Sequence, residues 1–144
     1  MRNQILVLVG TILLVCVPVH SQSGKISIGY VDNADGKYSE CGKKLSFLGS
    51  EKHAYIFVYA NDATEMKIDG RAVQLTLEST TEKPNGSAEI GDTFRETYRA
   101  NDMKIVIRYR LNGDSDNTIQ YVGTLLVKRG KLKAIVKFEG ISGC

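Results

Sequence analysis

The sequence predicts an all-β domain, either a β-barrel or a β-sandwich, of about 8–9 short strands that are mostly antiparallel and meander-like. Three observations support this fold class. Apolar and polar residues alternate along most of the chain, clusters of polar turn residues separate the alternating runs, and no convincing 3.6-residue stripe follows residue 22. We favour a barrel slightly over a sandwich, because joining the first strand to the last hides the sheet edges.

The first predicted strands lie in the amino-terminal third of the domain. In GKISIGYV, Ile26, Ile28 and Tyr30 share one face, and in KKLSFL, Leu45 and Phe47 do so. The run AYIFVYA that follows is apolar on both faces. A short, continuously apolar run is typical of a strand buried on both sides, so we expect a central strand there.

The next segment, ATEMKIDGRAVQLTLE, predicts a hairpin. Asp69-Gly70 stands between two alternating runs, and this dipeptide is a strong hairpin signal. TFRETYR then places Phe94 and Tyr98 on one face with Glu96 between them. Because an unpartnered buried carboxylate is costly, we expect Glu96 at an exposed edge or mouth, rather than buried and reached by an arginine.

The last third contains the clearest strand, MKIVIRYRL, which is followed by the polar turn cluster NGDSDN. TIQYVGTLLVKRGKLKAIVKF then predicts a second tight hairpin that turns at residues 129–131. These segments resemble the hairpin-connected strands of an antiparallel meander.

The amino terminus has the layout of a secretory signal peptide. Arg2 precedes an apolar run from Ile5 to Val17, and Val19-His20-Ser21 fits a cleavage site. A retained membrane anchor is the alternative, but the run is short for a bilayer span. We therefore predict a cleaved signal peptide at residues 1–21, a single β-domain at residues 22–144, and a secreted or periplasmic location.

The cysteines suggest a covalent link between the two ends of the domain. Of the three cysteines, Cys16 lies in the predicted signal peptide, which leaves Cys41 and Cys144. An exported chain with two cysteines favours an intrachain disulfide. The alternatives are a reactive free thiol and an intermolecular disulfide.

Few residues are suited to catalysis or to metal binding. His53 is the only histidine after residue 21, and no serine lies in a G-x-S-x-G context. With both cysteines assigned, no zinc ligand set remains, and neither DNADGKYSEC nor NGDSDNTI fits an EF-hand. We expect a non-enzymatic protein with no cofactor and no metal. The alternative enzyme needs a cleft that holds His53 and a carboxylate.

The formal net charge of +3 is too weak to indicate nucleic-acid binding. The basic residues are nevertheless placed on the outer faces of the last strands, with Leu126 and Ile135 between them. If these strands are neighbours, they form a basic stripe that could hold an acidic protein, an anionic glycan or a membrane surface. An ordinary solvated face is the alternative. The stripe comprises Lys104, Arg108, Arg110, Lys128, Lys133 and Lys137.

The layout resembles small exported bacterial β-proteins of unassigned function. Cys41 followed by GKKLSF, the strand AYIFVYAND and the closing Cys144 are also similar to the periplasmic C-type lysozyme inhibitors, over about two-thirds of the predicted domain. That resemblance implies a small β-barrel that inhibits a secreted hydrolase. The family's Ser-Gly-x-x-Tyr motif has no counterpart in GSAEIGDTFRETY, so no inhibitory residue is assigned.

The leading functional hypothesis is therefore an exported, non-enzymatic binding module that acts at the cell envelope or outside the cell. The alternative is an inhibitor of a secreted hydrolase, with a protruding loop at residues 79–92. Asn85-Gly86-Ser87 in that loop matches the N-glycosylation sequon.

Overall fold

The computed structural model describes residues 24–32, 41–51, 53–82, 88–115 and 117–143. Throughout these ranges the chain forms strands and turns, and the all-β prediction is confirmed. The strands are β1 (Ile28–Gly29), β2 (Gly42–Phe47), β3 (Tyr55–Ala60), β4 (Ala63–Ile68), β5 (Arg71–Gln74), β6 (Thr76–Thr80), β7 (Thr93–Ala100), β8 (Met103–Ser115), β9 (Thr118–Arg129) and β10 (Leu132–Gly143).

All strands belong to one antiparallel sheet that curls into a barrel-like shape. The hydrogen-bonded order is β1-β4-β3-β2-β10-β9-β8-β7-β6, and β5 pairs with β4. Only Leu75 separates β5 from β6, so the segment 71–80 pairs first with β4 and then with β7. The segment 71–80 therefore links the two sides of a sheet that curls into a half-barrel.

Short turns connect the neighbouring strands. Asp69 and Gly70 both have positive φ (52° and 76°) between β4 and β5, as a tight primed hairpin turn requires. The last hairpin turns at Gly130-Lys131, because Arg129 already pairs with Leu132. Asn61-Asp62, also with positive φ at both residues, forms a third such turn between β3 and β4.

Two details differ from the sequence-based expectations. The strand expected in GKISIGYV is only Ile28–Gly29, although Ile26 is buried in the core. β8 continues to Ser115, into the turn cluster expected at residues 112–117, because an irregularity between Leu111 and Gly113 absorbs the extra residue.

The core fills the inside of the curled sheet. Its largest fully buried side chains come from most of the long strands: Phe57, Phe138, Leu45, Ile56, Met66, Ile105, Ile107, Leu125 and Val127. A second, smaller cluster forms where Val31 packs with Tyr55, Val58 and Ala60, and the Val31 N–H donates to the Tyr55 carbonyl at 2.7 Å. β3 is thus buried on both faces, as its apolar sequence predicts.

The last strand, β10, pairs with β2, the second strand of the domain. The register runs from Phe47↔Phe138 to Gly42↔Gly143, and it ends one residue short of Cys41 and Cys144. Cys144 lies outside the described residues, as does the signal peptide expected at residues 1–21, so both remain predictions. None of the described segments is a helix long and apolar enough to span a membrane.

Candidate functional site

The basic residues selected from the sequence lie on one outer surface formed by β7, β8, β9 and β10. In register across these strands, the first row is Arg99–Lys104–Lys128–Lys133. The second row, four residues along each strand, is Arg95–Arg108–Thr124–Lys137, and Arg110 follows on β8. We call this surface the basic face; its residues are Arg95, Arg99, Lys104, Arg108, Arg110, Lys128, Lys133 and Lys137.

Every member of the basic face is solvent-exposed. Neighbouring strands lie about 4.8 Å apart, so cations within a row are close, while the two rows lie about 13 Å apart along the strands. An apolar row, Thr97–Val106–Leu126–Ile135, runs between them. Val106 is buried, whereas Ile135 is 61% exposed and provides an apolar contact at the end of that row.

Arginines concentrate at one end of the basic face. Arg95, Arg108 and Arg110 surround a shallow depression of about 620 Å³, whose lining also includes Phe94 and Gly123. A guanidinium presents planar pairs of N–H donors that match carboxylate, sulfate and phosphate oxygens. This end is the part of the basic face best suited to direct contact with an anion.

The cations of the basic face are largely uncompensated. Arg99 forms an ion pair with Glu78 of β6. Across the described ranges, none of the other basic-face residues has a carboxylate within ion-pair distance, although Glu139 lies opposite Val122 at the edge of the face. Like charges opposed across strands destabilise a sheet, so this arrangement carries a cost that a bound anion would relieve.

A second site, which the sequence did not identify, lies inside the mouth of the curled sheet. Glu96 is only 4% exposed, so the expectation of an exposed edge is wrong. Its partner is Lys43 of β2, 8% exposed, rather than an arginine. The Lys43 ammonium also donates to the Tyr109 hydroxyl at 3.0 Å and lies 4.5 Å from the centre of the Tyr109 ring.

Further hydrogen bonds extend this cluster toward the solvent. The Tyr98 hydroxyl donates to Glu96 Oε2 at 2.9 Å. The Tyr109 hydroxyl lies 2.9 Å from Glu82 Oε2, and the same Glu82 oxygen lies 3.6 Å from Lys43 Nζ. Lys43 therefore lies between two carboxylates, one buried and one partly exposed. We call Lys43, Glu82, Glu96, Tyr98, Tyr109 and Tyr121 the mouth cluster.

Burial and charge raise the pKa values of the tyrosines in the mouth cluster. Desolvation is the largest cause for Tyr98 and Tyr109, followed by the negative charge of Glu96, and both raise the phenol pKa far above its ordinary value of 10.0. Desolvation also raises the pKa of Tyr121, although a hydrogen bond with Ser142 opposes it. All three phenols stay protonated at neutral pH and keep their hydroxyls as hydrogen-bond donors.

The sequence contains a signal for this cluster. Strand alternation puts Lys43 on the same face as Leu45 and Phe47, and puts Glu96 on the face of Phe94 and Tyr98. A charged residue on an apolar face suggests a buried partner of opposite charge. β2 and β7 are far apart in the chain, however, so only the curled sheet shows that these two are partners.

His53 lies outside both sites. It is exposed, has a positive φ of 68°, and its Nδ1 lies 3.4 Å from the Tyr55 hydroxyl. It lines an outer groove of about 400 Å³ together with Glu51 and Glu139. The enzyme alternative, which needs His53 beside a carboxylate in a cleft, remains an untested hypothesis.

The remaining candidate positions are only partly described. Residues 83–87 of the loop expected in an inhibitor, including Asn85, lie outside the described residues. So does Asp116 of the oxygen-rich turn. Where the chain is described, no group of three or more His, Cys, Asp and Glu side chains could hold a metal ion.

Comparisons with protein-family models, with curated proteins and with solved structures find no match to this chain. The function must therefore be argued from the two sites themselves.

Proposed function

We propose that this chain is an exported, non-enzymatic domain that binds an extended anionic chain, such as an acidic glycan, through its basic face. The observation that carries the proposal is the register of β7–β10, which aligns two rows of exposed cations on one surface. Apart from Arg99, these cations have no carboxylate partner among the described residues. Such a surface raises the local concentration of anions and steers their approach.

The shape of the basic face favours an extended partner. Each row crosses several strands on the outside of a curled sheet, so its cations follow a convex path rather than line a cavity. A linear polyanion can lie along such a path and place successive negative groups near successive cations. A compact small anion would use only the depression between Arg95, Arg108 and Arg110.

The apolar row adds a feature that a purely electrostatic surface lacks. Leu126 and Ile135 stand between the cation rows, and Ile135 is exposed. Sugar rings have apolar faces as well as anionic substituents, so a carboxylated or sulfated glycan can use both parts of the surface. This combination is the reason for placing an acidic glycan before an acidic protein or an anionic membrane.

The test is retention of the purified protein on immobilised dextran sulfate, with uncharged dextran as the matched matrix. We expect retention on dextran sulfate at low ionic strength and release as salt is raised, because exposed charge pairs are screened over about 10 Å at 0.1 M salt. Equal behaviour on both matrices would contradict the proposal.

Two double variants, each lacking two positive charges, test whether the basic face is the binding site. Arg108→Gln/Arg110→Gln removes two cations from the basic face, and Lys25→Gln/Arg71→Gln removes two exposed cations elsewhere. At about 0.7 kcal/mol for each exposed charge contact, the first variant should bind dextran sulfate about tenfold more weakly. The second should bind like the parent protein. Equal loss in both variants would mean that net charge, and not the basic face, causes retention.

Two further probes separate the partner classes. Polyglutamate represents an acidic protein segment, and vesicles with anionic lipid represent a membrane surface. Binding to either of these without binding to dextran sulfate would keep the basic face but replace the glycan as its partner.

A further inference from the structure

The mouth cluster borders a pocket of about 340 Å³. The pocket lies where the segment 71–80 leaves β4 and pairs with β7, so its walls come from Thr64 of β4 on one side and Leu77 of β6 on the other. This volume is near the lower end of the range for small-molecule sites. The pocket is therefore large enough for a small organic ligand.

The charged groups of this pocket are unequal in number. Lys43 provides one positive charge, and Glu82 and Glu96 provide two negative charges. Glu96 is buried and engaged by Lys43 and by the Tyr98 hydroxyl. Glu82 Oε2 accepts from the Tyr109 hydroxyl at 2.9 Å and lies 3.6 Å from Lys43 Nζ, but the Glu82 side chain is 41% exposed. The pocket thus has a net negative charge, with one carboxylate facing the opening.

Aromatic rings provide a second feature that favours cations. Tyr59, Tyr98 and Tyr121 line the pocket. Tyr59 is 40% exposed and Leu77 is 49% exposed, so the rim carries accessible apolar surface. The Lys43 ammonium already occupies the rings of Tyr109 and Tyr121, at 4.5 Å and 5.4 Å from their centres, so Tyr59 is the exposed ring that a ligand can contact.

From these features we infer that the mouth pocket binds a small organic cation, an amine or quaternary ammonium compound with an apolar part. The ammonium group lies against the exposed side of Glu82 and the ring of Tyr59, and the apolar part contacts Leu77 at the rim. This site is independent of the proposed function, because it lies in the mouth and selects the opposite sign of charge from the basic face.

The test uses three probes of similar shape and different charge: benzylammonium, benzyl alcohol and benzoate. Each is titrated into ¹⁵N-labelled protein, and the backbone amide shifts of Lys43, Tyr59, Thr64 and Leu77 are followed. We expect benzylammonium to shift these amides and to bind about tenfold tighter than benzyl alcohol. This difference in affinity corresponds to the binding free energy of one charge-assisted hydrogen bond. Benzoate should be weaker still. Shifts by benzoate equal to those by benzylammonium, or no shift with any probe, would overturn the inference.

Two variants and one control assign the effect to the pocket. Glu82→Gln removes the exposed carboxylate and should abolish the preference for benzylammonium over benzyl alcohol. Tyr59→Leu removes the exposed ring and should weaken benzylammonium about threefold, within the range for exposed cation–π contacts. The control, Glu78→Gln, changes a carboxylate paired with Arg99 outside the pocket and should change neither value. An unchanged preference in Glu82→Gln, or an equal loss in Glu78→Gln, would overturn the assignment.

A negative result with benzylammonium would not contradict the proposal for the basic face, because dextran sulfate retention does not depend on Glu82. Conversely, loss of dextran sulfate retention in Arg108→Gln/Arg110→Gln should leave the benzylammonium shifts unchanged. Each of the two proposals can therefore be contradicted while the other one holds.

Discussion

Lys43 and Glu96 form a buried ion pair on the inside of an otherwise apolar sheet. Moving two charges out of water is expensive, and hydrogen bonds from Tyr98 and to Tyr109 offset part of that cost for Glu96 and Lys43. Removing Lys43 leaves Glu96 buried without a cation, and removing Glu96 leaves Lys43 with only the partly exposed Glu82 carboxylate, 3.6 Å away. The pair is thus more sensitive to single substitutions than any exposed pair in the described chain.

Glu96→Gln tests this sensitivity. We expect a loss of up to about 3–5 kcal/mol in the free energy of unfolding, because Lys43 would face a neutral amide and keep only the Glu82 carboxylate, 3.6 Å away. Urea denaturation followed by circular dichroism measures it. Glu78→Gln, which breaks the Arg99 pair at the surface, should cost less than about 1 kcal/mol. Similar losses in the two variants would show that the Lys43–Glu96 pair is not buried as described.

At the scale of strands, the rows of the basic face depend on exact register. Lys104 opposes Lys128, and Lys128 opposes Lys133, because two consecutive short turns fix how β8, β9 and β10 align. A shift of one residue would turn the basic side chains of one strand into the core. The basic face and the packed interior are therefore specified by the same pairing.

Close strand approach at Gly123 helps to hold this register. A Cβ placed on Gly123 would lie 2.1 Å from the Arg108 carbonyl oxygen and 2.9 Å from the Phe138 ring. Gly123 pairs with Tyr109 on one side and with Phe138 on the other, so neither neighbour can move without disturbing the sheet.

Gly123→Ala should accordingly lower the free energy of unfolding by about 1–3 kcal/mol, the usual cost of overpacking. Thermal or urea denaturation measures the loss. Gly29→Ala is the matched control, since its added Cβ would meet nothing closer than 3.6 Å, the flexible Lys67 side chain. If both variants were equally stable, β8, β9 and β10 would not approach as closely as described.

Several elements were predictable from local patterns. The Asp69-Gly70 hairpin, the alternating strand that begins at Met103 and the doubly buried β3 follow from residue alternation and turn chemistry. Their ends were less predictable. The short β1 and the extension of β8 to Ser115 depend on which neighbours are available for hydrogen bonding, and alternation does not contain that information.

For the molecule as a whole, closure of the sheet has two consequences. Pairing of β2 with β10 brings the two ends of the domain together. The change of partner at Leu75 connects β4 to β7 through β5 and β6 and leaves the mouth pocket between β4 and β6. A cationic outer surface and a net negative mouth therefore occur on one small domain.

A Cys41–Cys144 disulfide would lock this closure, and Gly42↔Gly143 pairing supports it because these residues are the immediate neighbours of the cysteines. Reduction should lower the free energy of unfolding, by at most about 4.7 kcal/mol for a loop of about 100 residues. Peptide mapping without reduction identifies the linked peptides, and urea denaturation with and without reductant measures the loss. A Cys41→Ala variant should be insensitive to reductant. Labelling of Cys41 by a thiol reagent in the unreduced, folded protein would contradict the disulfide.

The residue order alone specifies the fold class, most strands, the tight turns and the side of each late strand on which the basic residues lie. These features are local, because alternation, turn residues and charge can be judged within a few positions of the chain. These local patterns do not determine which charged residues become neighbours. Lys43 meets Glu96, and Glu82 lies beside the tyrosines of the mouth cluster, only because distant strands pair and the sheet curls. The burial of these side chains and the pairing of distant strands depend on the curled sheet as a whole. The mouth pocket can therefore be recognised only in the tertiary structure.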